Sequence, residues 1–138
     1  MALKILLVED DLDLGELVCL ALSRHGIEAD WFVRARQDSA DQALVLMNAD
    51  GVECKPVAYN WDSAVVDGRL KGSALSGLEV VKILKKKGLF VVAASGDPWL
   101  NKEMVAGGAD IGMEKFDLFT RAISDPHQRQ RLFPSTKS

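Results

Sequence analysis

Six chemically active side chains in this sequence follow short apolar segments. They are Glu9, Asp10 and Asp11 after residues 5–8, Asp67 after residues 64–66, Ser95 after residues 90–94, and Lys115 after residues 110–113. If the apolar segments are parallel strands, right-handed connections deliver the residue after each strand to the same edge of the sheet. Doubly wound folds bind their ligands at that edge. We therefore expect the carboxylates, the hydroxyl and the ammonium group to form one site.

These side-chain types suit phosphoryl transfer. Crowded carboxylates repel one another, and a hard divalent cation relieves the repulsion. Mg²⁺ fits because it binds through one or two carboxylates, water and a phosphoryl oxygen. One carboxylate can act as the nucleophile and form an acyl phosphate. A lysine and a hydroxyl can hold the charged oxygens of the transferred group.

Each of these residues, taken alone, also has an ordinary structural explanation. The acidic residues 9–11 could cap the first helix and interact with its dipole. Asp67 could be a turn residue, Ser95 a loop hydroxyl and Lys115 a solvated charge. Their joint placement at one predicted edge favours a functional site.

Five apolar segments alternate with five helical patterns along the chain. The segments at 5–8, 64–66 and 90–94 are nearly continuous, which is typical of strands buried on both faces of a parallel sheet. The other two segments are residues 29–33 and 110–113, and the helical spacings lie at 14–21, 40–47, 80–84, 100–104 and 118–123. The alternation predicts a doubly wound α/β fold.

The length of 138 residues fits one domain. We place that domain at residues 1–124. Residues 48–63 are long for a connection between a helix and a strand, which predicts an inserted surface loop. Residues 125–138 are polar with two prolines, and we expect a frayed C-terminal tail there.

The formal net charge of −3 argues against nucleic-acid binding by this domain. No apolar run approaches the length of a membrane span, and the N-terminus lacks a signal-peptide pattern, so we expect a cytoplasmic location without a membrane partner. Cys19 and Cys54 form no metal-binding or disulfide motif, and we expect two buried free thiols.

Five segments in a fixed order carry a family resemblance: 4–11 (KILLVEDD), 65–67 (VVD), 77–81 (GLEVV), 94–95 (AS) and 107–110 (GGAD) leading to Lys115. Together they resemble the receiver domain of two-component response regulators, from residue 4 to about residue 123. The resemblance implies a five-stranded sheet of flavodoxin-like order 2-1-3-4-5 with helices on both faces. It also implies a phosphoacceptor in a phosphorelay, which promotes only its own phosphorylation and dephosphorylation and is not an enzyme.

The resemblance assigns a role to each site residue. Asp67 would accept the phosphoryl group from a phosphohistidine of a sensor histidine kinase or histidine phosphotransfer protein. Mg²⁺ would be bound by Asp10, Asp67 and the carbonyl of Arg69, with Glu9 acting directly or through water. Ser95 and Lys115 would contact the phosphoryl oxygens. A downstream partner would use the face formed by the fourth helix, fifth strand and fifth helix, and the protein could form a weak homodimer.

The chain departs from the family pattern at several positions. Lys71 and Phe116 replace prolines of the family, and the segment from Asp67 to Gly77 is two residues longer than usual. Gly112 replaces the aromatic residue that normally moves on phosphorylation. These departures leave the acceptor chemistry in place and put the conformational response in question.

Two other functions remain open from the sequence. A haloacid-dehalogenase-like phosphatase also uses aspartate, a hydroxyl and lysine around Mg²⁺, but its Asp-x-Asp motif has Arg69 at the second position here. A receiver that acts as an unphosphorylated binding scaffold is the other alternative, and failure to label Asp67 would favour it.

Overall fold

The computed structural model describes residues 3–134 of the chain. Its strands are β1 Leu3–Val8, β2 Ile27–Phe32, β3 Arg34–Gln37, β4 Leu44–Met47, β5 Glu53–Cys54, β6 Ser63–Asp67, β7 Phe90–Ser95 and β8 Ile111–Glu114. Its helices are α1 Leu12–Ser23, α2 Gly77–Lys86, α3 Pro98–Ala106, α4 Lys115–Asp117, which continues as a π-helical segment Leu118–Ala122, and α5 Pro126–Leu132.

A five-stranded parallel sheet in the order β2-β1-β6-β7-β8 forms the centre of the molecule. Because β6, β7 and β8 are the third, fourth and fifth strands predicted for this sheet, the expected order 2-1-3-4-5 is confirmed. The side chains of successive residues in β1 lie on opposite faces of the sheet. Leu6 and Val8 pack in the cluster that contains α2 and α3, while Ile5 and Leu7 pack in the cluster that contains α1 and α5. The sheet is therefore covered by helices on both faces.

The predicted second helix at residues 40–47 is wrong. Residues 44–47 form β4, which pairs antiparallel with β3 on one side and β5 on the other. Asp38 and Asp41 each accept a hydrogen bond from the backbone N–H two residues later, a local pattern that competes with helix formation. Gln42 has a positive φ of 60°, which also interrupts a helix. Leu44 and Leu46 reach the core from a strand instead of a helix.

The predicted surface loop at 48–63 is only partly a loop. Asn48 closes a turn by accepting the N–H groups of Asp50 and Val52 on its side chain, and β5 then completes the small antiparallel sheet. Trp61 is 8% exposed and donates its indole N–H to Asp30 Oδ2 at 2.9 Å. Trp61 thus lies against the domain, as expected.

The frayed tail predicted after residue 124 is wrong for the part of the tail that the structure describes. Asp125 caps α5 and Pro126 occupies its first turn, where a missing N–H costs no hydrogen bond. Leu132 and Phe133 are both 1% exposed and pack in the core cluster of α1. Burial of these two side chains anchors a segment whose composition is otherwise polar. Residues 135–138 lie outside the described part.

Both cysteines are free thiols, but only Cys19 is partly buried, whereas Cys54 on the edge strand β5 is exposed, contrary to expectation. Among residues 3–134, no helix has the length and apolar character that a membrane span requires.

Candidate functional site

The sheet brings the predicted site residues to one edge. Asp67 and Ser95 are the last residues of β6 and β7, Glu9 and Asp10 follow β1, and Lys115 follows β8. The aligned register of these strands places their ends side by side. The start of α2 lies close to this edge, because a Cβ at Gly77 would be 2.2 Å from the carbonyl oxygen of Asp67. Only glycine permits that approach.

Lys115 joins two buried carboxylates. Its Nζ lies 3.0 Å from Glu9 Oε1 and 3.0 Å from Asp67 Oδ2. The side chains of Glu9 and Asp67 are 1% and 4% exposed, and that of Lys115 is 15% exposed. The ammonium group is therefore held where it can also meet a charged group bound to Asp67.

The carboxylates of Glu9, Asp10 and Asp67 each place an oxygen within 4.8 Å of the others. Oxygen donors of this kind match the preference of Mg²⁺. One ammonium group faces three carboxylates, so a divalent cation would balance the remaining negative charge. The residues present thus fit a magnesium site.

The pKa values of the cluster reflect its burial first and the crowding of its carboxylates second. Burial, followed by the interaction with Asp67, raises the pKa of Glu9 to about 8. Burial also raises the pKa of Asp67, although hydrogen bonds with Glu9 and Lys115 oppose the rise. The pKa of Asp10 is lowered in spite of burial, because hydrogen bonds with Asp67 and the Lys71 N–H stabilise its ionised form. Burial opposes the charge of Lys115, yet Asp67 and Glu9 raise its pKa.

Backbone and indole groups fix the orientation of the acidic residues. Asp10 Oδ2 accepts the N–H of Lys71 at 3.1 Å, and Glu9 Oε2 accepts the N–H of Asp11 at 3.1 Å. Trp31 on β2 donates its indole N–H to the carbonyl of Glu9 at 2.8 Å. Asp11 itself caps α1, so the structural explanation holds for this one of the three acidic residues.

A hydrogen-bond network ties Ser95 to its surroundings. Its Oγ accepts the N–H of Asp97 at 3.1 Å, and Asp97 also accepts Arg69 Nη2 at 2.9 Å. Asn101 on α3 donates to the carbonyls of Ser95 at 3.0 Å and Met113 at 3.1 Å. These partners were not predicted from the sequence, although the pair Asp97–Pro98 carries the signature of a helix start and so points to Asp97.

A cavity of about 370 Å³ opens at this edge. Its lining contains Asp10, Asp67, Arg69, Lys71, Ser95 and Lys115, together with Asp11, Gly96 and Asp97. Glu9 does not line it and lies buried beneath, paired with Lys115. A second cavity, of about 400 Å³, lies beside Gly112 between α3 and β8.

Similar solved structures are response-regulator receivers. The receiver domain of NtrX from Brucella abortus is 28% identical, with 80% of this chain and 84% of that chain covered and a TM-score of 0.59. A longer NtrX chain from the same organism is also 28% identical, and the match has a TM-score of 0.60. The match covers 83% of this chain but only 24% of that chain, so this protein spans about a quarter of the length of its relative.

Two more distant structures cover nearly the whole chain. The non-phosphorylated HemR receiver domain from Leptospira biflexa is 20% identical, covering 99% of this chain and 98% of that chain with a TM-score of 0.64. A response regulator receiver protein from Pseudoalteromonas atlantica is 16% identical. The match covers 94% of this chain and 95% of that chain, with a TM-score of 0.65. No protein-family model and no curated protein matches the sequence. The order of the central sheet and these likenesses show that the protein has the fold of response-regulator receiver domains, as the resemblance in sequence implied.

Proposed function

We propose that the protein receives a phosphoryl group on Asp67, in a Mg²⁺-dependent reaction, from a phosphohistidine of a sensor histidine kinase or histidine phosphotransfer protein. The observation that carries the proposal is the ion-paired cluster, in which Lys115 contacts Asp67 and Glu9. A carboxylate oxygen of Asp10 lies within 4.8 Å of an oxygen of each of these two acidic residues. A cluster built only for stability would gain from apolar replacements, because burying several charges is costly.

The chemistry follows from the positions of the side chains. A carboxylate oxygen of Asp67 attacks phosphorus, an O–P bond forms, and the N–P bond to the donor imidazole breaks, leaving its electron pair on nitrogen. Lys115 lies beside that carboxylate and would pair with an oxygen of the transferred group, while Ser95 lines the same cavity as a hydroxyl donor. Glu9, Asp10, Asp67 and the Arg69 carbonyl would hold Mg²⁺, which would neutralise charge on the phosphoryl oxygens.

The same proposal includes the partners and the setting of the protein. A downstream partner would bind the face formed by α3, β8 and α4, where Trp99 and Phe116 are exposed. The protein could also form a weak homodimer. We place the protein in the cytoplasm, since an exposed free thiol such as Cys54 suits a reducing compartment. The phosphatase alternative is less favoured because Arg69 stands where a second aspartate is needed and is paired with Asp97.

The test is phosphorylation by a small acyl phosphate followed by intact-protein mass spectrometry. We expect one added phosphoryl group in the presence of Mg²⁺ and none with excess chelator. Asp67→Asn should take up no phosphate, whereas Asp50→Asn in the exposed turn before β5 should be labelled like wild type. Labelling of Asp67→Asn would contradict the assignment, and unlabelled wild type would support the scaffold alternative.

A further inference from the structure

The loop of residues 68–76, between β6 and α2, is bound to the small antiparallel sheet. Ser73 Oγ accepts the N–H of Ala35 on β3 at 3.0 Å. It can donate its one proton to the Leu75 carbonyl at 2.7 Å or to the Ala35 carbonyl at 2.9 Å. The N–H of Leu75 donates to the same carbonyl at 3.0 Å. The loop therefore pairs with the outer edge of β3 through one side chain and one backbone group.

The turn just before Ser73 also lies beside β3. Gly72 has φ of +71°, a conformation that side chains rarely adopt. A Cβ at this position would be 3.2 Å from Nε of Arg34, so the Arg34 side chain lies next to the turn. Residues of β3 therefore lie beside the loop at two adjacent positions.

The same loop contacts the acidic cluster at its other end. The N–H of Lys71, two residues before Ser73, donates to Asp10 Oδ2 at 3.1 Å. This bond connects the acidic cluster to a segment outside the five-stranded sheet. Because the carboxylates repel one another, a fixed donor on Asp10 favours the arrangement in which its oxygen stays near Glu9 and Asp67.

We propose that Ser73 is a positioning residue, through which the small sheet β3-β4-β5 holds the Lys71 N–H on Asp10 and keeps the acidic cluster arranged for a cation. The inference deepens the proposed function and rests on it. The bonds from Ala35 to Ser73 and from Lys71 to Asp10 form a continuous path from the small sheet to the site. The small sheet therefore has a role in cation binding beyond its contribution to the core.

The test compares Mg²⁺ binding by Ser73→Ala, Ser73→Thr and wild-type protein. The titration is followed by the indole N–H resonance of Trp31, which reports on the Glu9 carbonyl. Loss of one net hydrogen bond predicts about fivefold weaker Mg²⁺ binding in Ser73→Ala. Ser73→Thr keeps the hydroxyl and should bind as wild type does. Ser39→Ala is the matched control, an exposed serine in the turn between β3 and β4.

A second measurement needs no metal. Hydrogen exchange of the Lys71 amide should be several-fold faster in Ser73→Ala than in wild type without Mg²⁺, while amides of β1 and β6 keep their protection. Gly72→Ala strains the same turn without touching the hydroxyl and should act in the same direction, which covers the case in which Ser73→Ala fails to fold.

Equal Mg²⁺ affinity and equal Lys71 exchange in Ser73→Ala and wild type would overturn the inference and leave the proposed function intact. Wild-type protein that binds no Mg²⁺ would contradict the proposed function instead. In that case unchanged Lys71 exchange in Ser73→Ala would also refute the positioning role of Ser73, and faster exchange would retain it.

Discussion

Replacement of Glu9 by glutamine should make the metal-free protein more stable at alkaline pH. Glu9 is buried beside Asp67, and its pKa is raised from an ordinary 4.5 to about 8. Between these two pKa values, Glu9 therefore keeps its proton in the folded protein, whereas it releases the proton in the unfolded chain. Since the native state binds more protons in this window, the free energy of unfolding of wild type falls as pH rises from about 5 to 8. Glutamine resembles the protonated form and removes this dependence.

The size of the effect follows from the shift. Each unit of pKa difference corresponds to about 1.4 kcal/mol, so the full shift sets an upper limit of about 5 kcal/mol. This shift already includes the opposing effect of Lys115, which pairs with the ionised carboxylate. We therefore expect Glu9→Gln to lie within about 1 kcal/mol of wild type near pH 5 and to exceed it by up to about 4 kcal/mol near pH 8, where Glu9 is half ionised.

Urea unfolding at both pH values in the presence of chelator measures the difference. Glu28→Gln, an exposed glutamate on β2, is the matched control and should follow wild type. Added Mg²⁺ at ten times its dissociation constant should restore about 1.4 kcal/mol to wild type at pH 8. Wild-type stability that is constant or rises between pH 5 and 8 without Mg²⁺ would refute the assigned protonation of Glu9.

Three further outcomes are expected. Leu46→Ala should lower the free energy of unfolding by about 2–4 kcal/mol in urea titrations, because β4 fills the core. A change below about 0.5 kcal/mol would show that Leu46 does not contribute to the core in this way. Lys115→Met should destabilise metal-free protein by about 3 kcal/mol at pH 8 and by less at pH 5, because two buried carboxylates lose their cation. Equal losses of stability at the two pH values would contradict this explanation. Beryllofluoride should shift amide resonances mainly within 68–76 and 95–108, because Gly112 has no side chain to move; comparable shifts throughout 110–123 would argue against this.

The part of the fold predictable from the sequence is the central sheet. Three of its strands, β1, β6 and β7, are apolar runs buried on both faces, and the order of all five follows from the resemblance and is confirmed by the pairing. The segment 40–47 has helical spacing of its apolar residues, yet residues 44–47 form strand β4, since pairing with β3 and β5 buries Leu44 and Leu46 equally well. Spacing alone does not decide between two arrangements that bury the same side chains.

Residue type and placement determined the candidates for the site, because parallel strands share an edge and chemically active residues follow four of them. Only the tertiary structure decided that Asp11 caps a helix while Asp10 joins Glu9 and Asp67, and that the Lys71 N–H and the Trp31 indole orient the cluster. These contacts join segments up to 61 residues apart in sequence. Such distant pairings depend on how whole elements pack, and the local pattern of a sequence does not contain that information.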